Sequence, residues 1–248
     1  MRVLLILTLF LFQQKLIGQQ TSQTKFLNEM SGYKYKEVIV NSDSAAKNIP
    51  IIIGLHWRGS SPNEFEKYLL GLNKPARLIL LQGPYPDDEP GFSFFQILPT
   101  DYYSLPSDKK MVTLLKEGEK LSVFIRAITS KYKPIQKPII IGASQGGDLS
   151  YVIAIRYNNL ISHSYPLLAT IDNRVISSSK RNRGKSAPID AFHGEDDKTI
   201  NIDVARRHIL LLQKNNFKAT LHTYENNTHS ISDKMKTDYI FLLNTLLE

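Results

Sequence analysis

Apolar residues in this chain gather in short unbroken runs, and most runs are followed by a stretch whose apolar positions recur at helical spacing. The runs at 36–40, 50–55, 77–81, 138–141, 165–169, 189–192 and 219–224 are mostly aliphatic and bounded by Gly, Pro or Asn, which predicts strands. Continuous apolar strands fit a sheet covered on both faces. Between them, Ser61-Pro62-Asn63-Glu64 supplies an N-cap, a proline at the first helical position and the acidic partner of a capping box, opening a helix toward Leu70. Leu121, Phe124, Ile125 and Ile128 fall on one helical face. Further helices are expected over 145–157, 202–214 and 233–247, the last two with apolar stripes broken by charges. The alternation predicts an α/β fold, a mostly parallel central sheet flanked by helices on both faces.

With 248 residues, 42% of them hydrophobic, and neither repeat nor linker, the chain is read as a single domain over 35–248. The N-terminus reads differently. Val3 to Phe12 form an apolar run behind Met1-Arg2, followed by a polar stretch ending at Gly18, the shape of a signal peptide over 1–18 with a polar lead-in over 19–34. The run is shorter than the roughly 20 residues of a spanning helix. A secreted or periplasmic mature chain is therefore expected, with no stable membrane insertion after cleavage. Cysteine is absent, which excludes disulfide scaffolds and cysteine nucleophiles. The net charge of +8 becomes +6 once Arg2 and Lys15 leave with the signal. The densest basic run, Lys180-Arg181-Asn182-Arg183-Gly184-Lys185, is read as a solvated loop, and no nucleic-acid partner is expected.

Chemistry enters at Pro138-Ile139-Ile140-Ile141-Gly142-Ala143-Ser144-Gln145-Gly146-Gly147, where an apolar strand runs into Gly-x-Ser-x-Gly. That turn exposes a serine nucleophile between strand and helix and needs small residues on both sides of it. Five residues recur by chance, so the partners of Ser144 have to carry the reading.

A serine hydroxyl needs a histidine to take its proton and a carboxylate to fix that histidine's tautomer. With this serine turn, acid and base follow the nucleophile in that order. Of six histidines, His56 precedes Ser144, and His163 and His193 precede the best acidic loop. His208 falls within a helix and His222 within a strand. His229 lies in a loop after the strand at 219–224 and before the last helix, and is the expected base. The acid comes from Glu195-Asp196-Asp197, just past a strand, where catalytic loops of open α/β sheets gather. Spacing does not separate Asp196 from Asp197. A metal site built on His193 and these carboxylates lacks a second ligand set at suitable spacing and leaves the serine unused, so neither metal nor organic cofactor is expected.

Four motifs in order carry a resemblance: Leu55-His56-Trp57-Arg58-Gly59, Gly142-Ala143-Ser144-Gln145-Gly146-Gly147, Phe192-His193-Gly194-Glu195-Asp196-Asp197 and Tyr224-Glu225-Asn226-Asn227-Thr228-His229-Ser230. From Pro50 to the C-terminus the chain resembles the α/β-hydrolase superfamily, most closely its phospholipase/carboxylesterase branch of acyl-protein thioesterase-like and bacterial predicted esterases. The resemblance implies Asp197 as the acid, with Asp196 as fallback, and His193 as a loop-shaping residue. It implies an oxyanion hole from the backbone N–H groups of Arg58 and Gln145. Gly91-Phe92-Ser93-Phe94-Phe95 looks like the family's aromatic stretch beside the acyl pocket. Two departures stand out: Trp57 replaces the glycine usual after the motif histidine, and Gln96-Ile97 follow Phe95 where the family usually has Asp.

The expected activity is that of an exported serine esterase acting on a small-molecule or carbohydrate-linked ester through Ser144, His229 and Asp197. Trp57, Phe92, Phe94 and Phe95 are expected to line a compact pocket for short or aryl acyl groups. The alternatives are a lysophospholipase- or thioesterase-like acyl hydrolase and, in a different class, a non-catalytic binding protein on a hydrolase fold.

Overall fold

The computed structural model describes residues 28–43, 48–88, 90–178 and 186–247. The expected signal peptide, most of the lead-in and the basic run from Lys180 to Lys185 lie outside the described residues. In chain order the elements are β1 (Asn28–Met30), β2 (Tyr33–Val40), β3 (Ile51–Leu55), α1 (Pro62–Glu66), β4 (Ala76–Leu81), β5 (Tyr85–Pro86), β6 (Phe92–Ser93), α2 (Ser107–Tyr132), β7 (Ile139–Ala143), α3 (Gln145–Arg156), β8 (His163–Leu167), α4 (Asn173–Ser178), β9 (Ile189–Gly194), α5 (Ile202–Lys214), β10 (Ala219–Tyr224) and α6 (Asp233–Leu246). Short 3-10 turns occupy Lys67–Leu69, Tyr102–Ser104 and Asn158–Leu160.

Eight strands form one sheet in the order β1-β2-β4-β3-β7-β8-β9-β10. The pairs β1–β2 and β2–β4 are antiparallel, and the rest are parallel. The chain builds outward from β3 to β4, then returns to place β7 on the other side of β3. That reversal is the switch point at which open α/β sheets place their ligand site, at the carboxyl ends of the strands. Here those ends carry the loop after Leu55 and the turn at Ser144.

The unbroken apolar strands have a direct cause. Side chains alternate across a strand, and in the central strands both faces are buried. Ile53, Leu55, Ile79, Leu81 and Ile140 join a cluster with Phe124 of α2 and Leu149 of α3. Their neighbours Ile52, Leu78, Leu80 and Ile141 join a second cluster with Phe65 of α1 and Met235, Tyr239 and Leu243 of α6. Helices therefore cover both faces, as the runs imply.

Several boundaries differ from the sequence pattern. Part of the polar lead-in is structured, since Asn28–Met30 pairs with Tyr33–Tyr35 as an edge strand. The helix expected to run toward Leu70 ends at Glu66 and continues as a 3-10 turn. Helix α2 starts at Ser107, well before the apolar stripe that signals it, and stops where Lys133 turns left-handed at φ 46°. Strand β8 spans His163–Leu167 rather than 165–169, because Leu168 also takes a left-handed conformation, φ 51°.

Candidate active site

Ser144 sits between β7 and α3 at φ 50°, ψ −113°, a conformation that costs a non-glycine residue about 1–3 kcal/mol. The surroundings enforce it. Its N–H donates to Leu167 O on the neighbouring strand, and its carbonyl accepts the N–H of Asp148, both at 2.9 Å. A Cβ on Gly142 would lie 2.2 Å from Gly146 O, and one on Gly146 would lie 2.3 Å from Leu55 O. Only glycine lets α3 begin hard against β3 and β7, and this close approach lifts the serine side chain into the site.

His229 Nε2 lies 3.2 Å from Ser144 Oγ, and its Nδ1 lies 2.7 Å from Asp197 Oδ2. Asp197 is buried, and its Oδ1 accepts the N–H groups of Thr199 and Ile200 at 2.8 and 2.9 Å. These bonds fix the carboxylate so that one oxygen faces His229. The acidic and histidine loops are joined by backbone bonds from Glu195 N–H to Tyr224 O, 2.9 Å, and from Asp196 N–H to Asn227 O, 3.0 Å. Asn227, a motif residue to which the sequence reading gave no role, donates its side-chain amide to Thr228 O and Ser230 O and so braces His229 from both sides. An Asn-Asn pair entering the loop, with Asn226 left-handed at φ 56°, is the local signal that could have found it. Asp196 is exposed. The structure thus separates the two carboxylates that spacing left open.

The loop after β3 is set by His56, which is buried. Its Nδ1–H donates to Trp57 O at 2.6 Å while Nε2 accepts the N–H of Gly83 at 3.0 Å. This pairing describes a neutral imidazole, and burial lowers its pKa to about 4 against the smaller opposing effect of the Trp57 carbonyl. Gly59, at φ 75°, returns the loop toward β6 through its N–H to Phe92 O, 2.9 Å. The Arg58 side chain ties the loop outward, with Nε 2.9 Å from Asp87 and an Nη 2.9 Å from Asp101. Gln145, the first residue of α3, has no helical partner for its N–H. Its side-chain Oε1 accepts Phe94 N–H and its Nε2 donates to Ser93 Oγ, at 3.1 and 3.0 Å.

The expected aromatic pocket is not assembled. Trp57 turns to the α1 and α6 side of the sheet, edge-on to Phe65 and Tyr68 at centroid distances of 6.3 and 5.3 Å. Phe94 and Phe95 are buried in the opposite cluster, Phe94 against His56 and Phe95 stacked on Tyr102 at 4.1 Å. Phe92 serves mainly through its backbone, which pairs with Ser60 and Gly59. Trp57 and the Phe94–Phe95 pair thus fall in separate clusters on opposite faces of the sheet. Nor do the cavities of about 410 and 230 Å3 beside α2 and Tyr102 reach Ser144 or His229.

Polar groups unforeseen in the sequence stand near Ser144 instead. Asp148, one turn into α3, is buried and accepts the N–H of Thr170 at 2.8 Å. Burial pushes its carboxyl up to about 8 against the pull of that bond. Among the described residues, no group of three or more His, Asp or Glu side chains is placed to hold a metal ion, and no helix is long and apolar enough to cross a membrane.

A mostly parallel sheet with helices on both faces, a strained serine turn at the switch point and two further strand-end loops converging on it define an α/β-hydrolase. The chain belongs to the phospholipase/carboxylesterase family, whose sequence model matches residues 35–246. Similar solved structures include esterase PE8, at 14% identity and TM-score 0.70 over 85% of this chain and 98% of that one. The carboxylesterase of Bacillus cereus is 16% identical, with TM-score 0.63 over 85% and 94%. Acyl-protein thioesterase 2 of Zea mays is 16% identical, with TM-score 0.64 over 86% and 99%. No curated protein sequence matches the chain.

Proposed function

We propose that this hydrolase is a serine carboxylic-ester hydrolase, and the observation that carries the reading is the continuous hydrogen-bonded chain from Ser144 through His229 to Asp197. His229 Nε2 takes the Oγ proton as Ser144 attacks the ester carbonyl, while Asp197 holds the Nδ1–H and stabilises the imidazolium. The carbonyl oxygen becomes an oxyanion received by the backbone N–H groups of Arg58 and Gln145. Collapse breaks the ester C–O bond, and the His229 proton passes to the departing alcohol. Water then gives a proton to His229 and attacks the acyl-enzyme. The second intermediate releases the carboxylic acid and returns the proton to Ser144 Oγ.

Thioesters yield to the same steps, and the likeness to maize acyl-protein thioesterase 2 makes them the second substrate class. The apolar leader and the small residue at Gly18 support export, with a mature chain beginning near Gln19. N-terminal sequencing of the exported protein tests that placement, and retention of Met1 refutes it. The catalytic reading is tested by fluorophosphonate labelling. Ser144 should be the labelled residue, and Ser144→Ala should lose both labelling and ester turnover while keeping native thermal stability. A folded Ser144→Ala protein that still turns over esters would refute the mechanism.

A further inference from the structure

The peptide between Trp57 and Arg58 is trans, so its C=O and N–H point in opposite directions. His56 Nδ1–H holds Trp57 O at 2.6 Å, which turns the Arg58 N–H away from the buried imidazole. The following Gly59 is left-handed at φ 75°, and glycine restrains its neighbours least of all residues. The Arg58 end of the peptide is held by its own side chain, which reaches two segments that the loop after β3 does not otherwise share.

Asp87, at the end of β5, accepts the Asp88 N–H through Oδ1 at 3.1 Å and Arg58 Nε–H through Oδ2 at 2.9 Å. Asp101, the N-cap of the 3-10 turn Tyr102–Ser104, accepts the Tyr103 N–H through Oδ1 at 2.8 Å and pairs through Oδ2 with Arg58 Nη2 at 2.9 Å. Each carboxylate thus spends one oxygen on its own turn, which aims the other at the guanidinium. The Tyr103 ring backs the fork, its centre 5.6 Å from the guanidinium carbon. Beneath it the hairpin of β5 and β6 lies hard against the loop: a Cβ on Gly91 would sit 2.1 Å from Gly59 O. The Arg58 and Asp101 side chains are 37% and 29% exposed, and ion pairs this open add little to folding. Their effect falls on the geometry of the loop.

We infer that Asp87 and Asp101 are positioning residues of the hydrolytic reaction: by gripping the Arg58 guanidinium from two segments, they hold the Arg58 backbone N–H in place for the oxyanion. The inference rests on the esterase reading and on the Arg58 N–H as one of its two oxyanion donors. Loss of one such donor costs about 10²–10³ in kcat, and a displacement of about 1 Å costs about 10². A loosened loop should therefore lose less than a missing donor and still lose measurably. Only a planar fork can meet both carboxylates at once, so lysine is no substitute at this position.

The experiment measures kcat and KM of the purified protein for ethyl butyrate by proton release, together with the Ki of a trifluoromethyl ketone. Ser144 Oγ adds to the ketone carbonyl, its proton passes to His229 and the C=O π pair becomes an oxyanion, so the adduct reads the donors as the transition state does. Arg58→Met should lower kcat by about thirtyfold, raise Ki by a similar factor and leave KM within about twofold. Arg58→Lys should recover only part of that loss. Asp87→Asn and Asp101→Asn each keep an acceptor for their own turn but set an NH2 against the guanidinium, and should each lower kcat by about tenfold. Arg58→Met combined with Asp101→Asn should be no slower than Arg58→Met alone, because the second change then has nothing left to release. A folded Arg58→Met protein with parental kcat, a loss confined to KM, a Ki unmoved while kcat falls, or losses that multiply in the double variant overturns the inference. If Arg58→Met fails to fold, unchanged kcat and Ki in Asp101→Asn overturn it equally. Parental turnover that Ser144→Ala abolishes leaves the esterase reading standing in each of these cases. No Ser144-dependent turnover of any ester overturns both.

Discussion

His193 Nε2 lies 3.2 Å from the same Asp197 oxygen that His229 Nδ1 reaches at 2.7 Å. The His193 ring also donates to Ile200 O at 2.8 Å, and burial is the first cause lowering its pKa, so it is neutral with its proton on Nε2. One N–H is thereby divided between a carbonyl and the carboxylate, and the carboxylate is aligned without its charge being spent on a second cation. His193→Ala should lower kcat for a short ester by about tenfold with KM little changed, and His193→Gln, which keeps a donor, should recover most of it. Steady-state kinetics decides this; a change confined to KM would show that His193 does not act through Asp197.

The neighbouring carboxylates should separate cleanly. Asp197→Asn presents an amide to His229 Nδ1 and favours the wrong tautomer, which in a serine protease costs about four orders of magnitude in kcat. Asp196→Asn changes an exposed side chain and should stay within about twofold of the parent, as surface substitutions usually do. Equal losses in matched assays would leave the acid unassigned between them.

Trp57 follows His56 in the loop after β3, yet its ring packs against the cluster on the α1 and α6 side of the sheet. Trp57→Ala should therefore destabilise the fold by about 2 kcal/mol, as partial loss of a packed aromatic does. Preference between acetyl and longer acyl esters should not move. Chemical unfolding and a chain-length series test the two halves separately, and a shift toward long chains with unaltered stability would return Trp57 to the acyl site.

The sequence and the structure part company for physical reasons. Strands β3 and β7 were legible because both their faces are buried, which leaves no polar position to blur the run, and β4 carries only Arg77 near its start. Ser144 was legible as a strand-to-helix turn and His229 as a loop residue after a strand, whereas Asp197 was singled out from Asp196 only by the resemblance; His229 stands within hydrogen-bond reach of both Ser144 and Asp197. Strand β1 was not, because Asn28–Met30 is an edge strand whose residues are only partly buried or exposed. The direction of a side chain is also invisible to motif position, which is how Trp57, Phe94 and Phe95 came to be grouped in one pocket. Asp148 was missed because a lone Asp carries no local signal. Its partner, the N–H of Thr170, lies far along the chain.

His56 makes the loop after β3 a proton-sensitive part of the fold. Its Nε2 accepts the Gly83 N–H, so a proton there would set two donors face to face in a buried place. Its folded pKa is lowered to about 4, against about 6.5 when unfolded. Above the unfolded value both states are neutral and the full contribution is present. As pH falls below it, the unfolded chain takes up a proton that the folded one refuses, and stability drops until the folded pKa is reached, by about 3 kcal/mol in all. His208, also lowered to about 4 by burial first, acts in the same sense, whereas Asp148, pushed up to about 8, acts in the opposite one because its folded form retains a proton. The bare pH dependence of unfolding therefore mixes these groups. The difference between parent and His56→Gln isolates the one in the loop after β3. The parent should be the more stable at pH 7, with the gap in urea unfolding free energy narrowing by about 2–3 kcal/mol at pH 4.5. A gap constant over that range would mean that His56 takes up its proton equally in both states and that the loop is not held by a neutral imidazole.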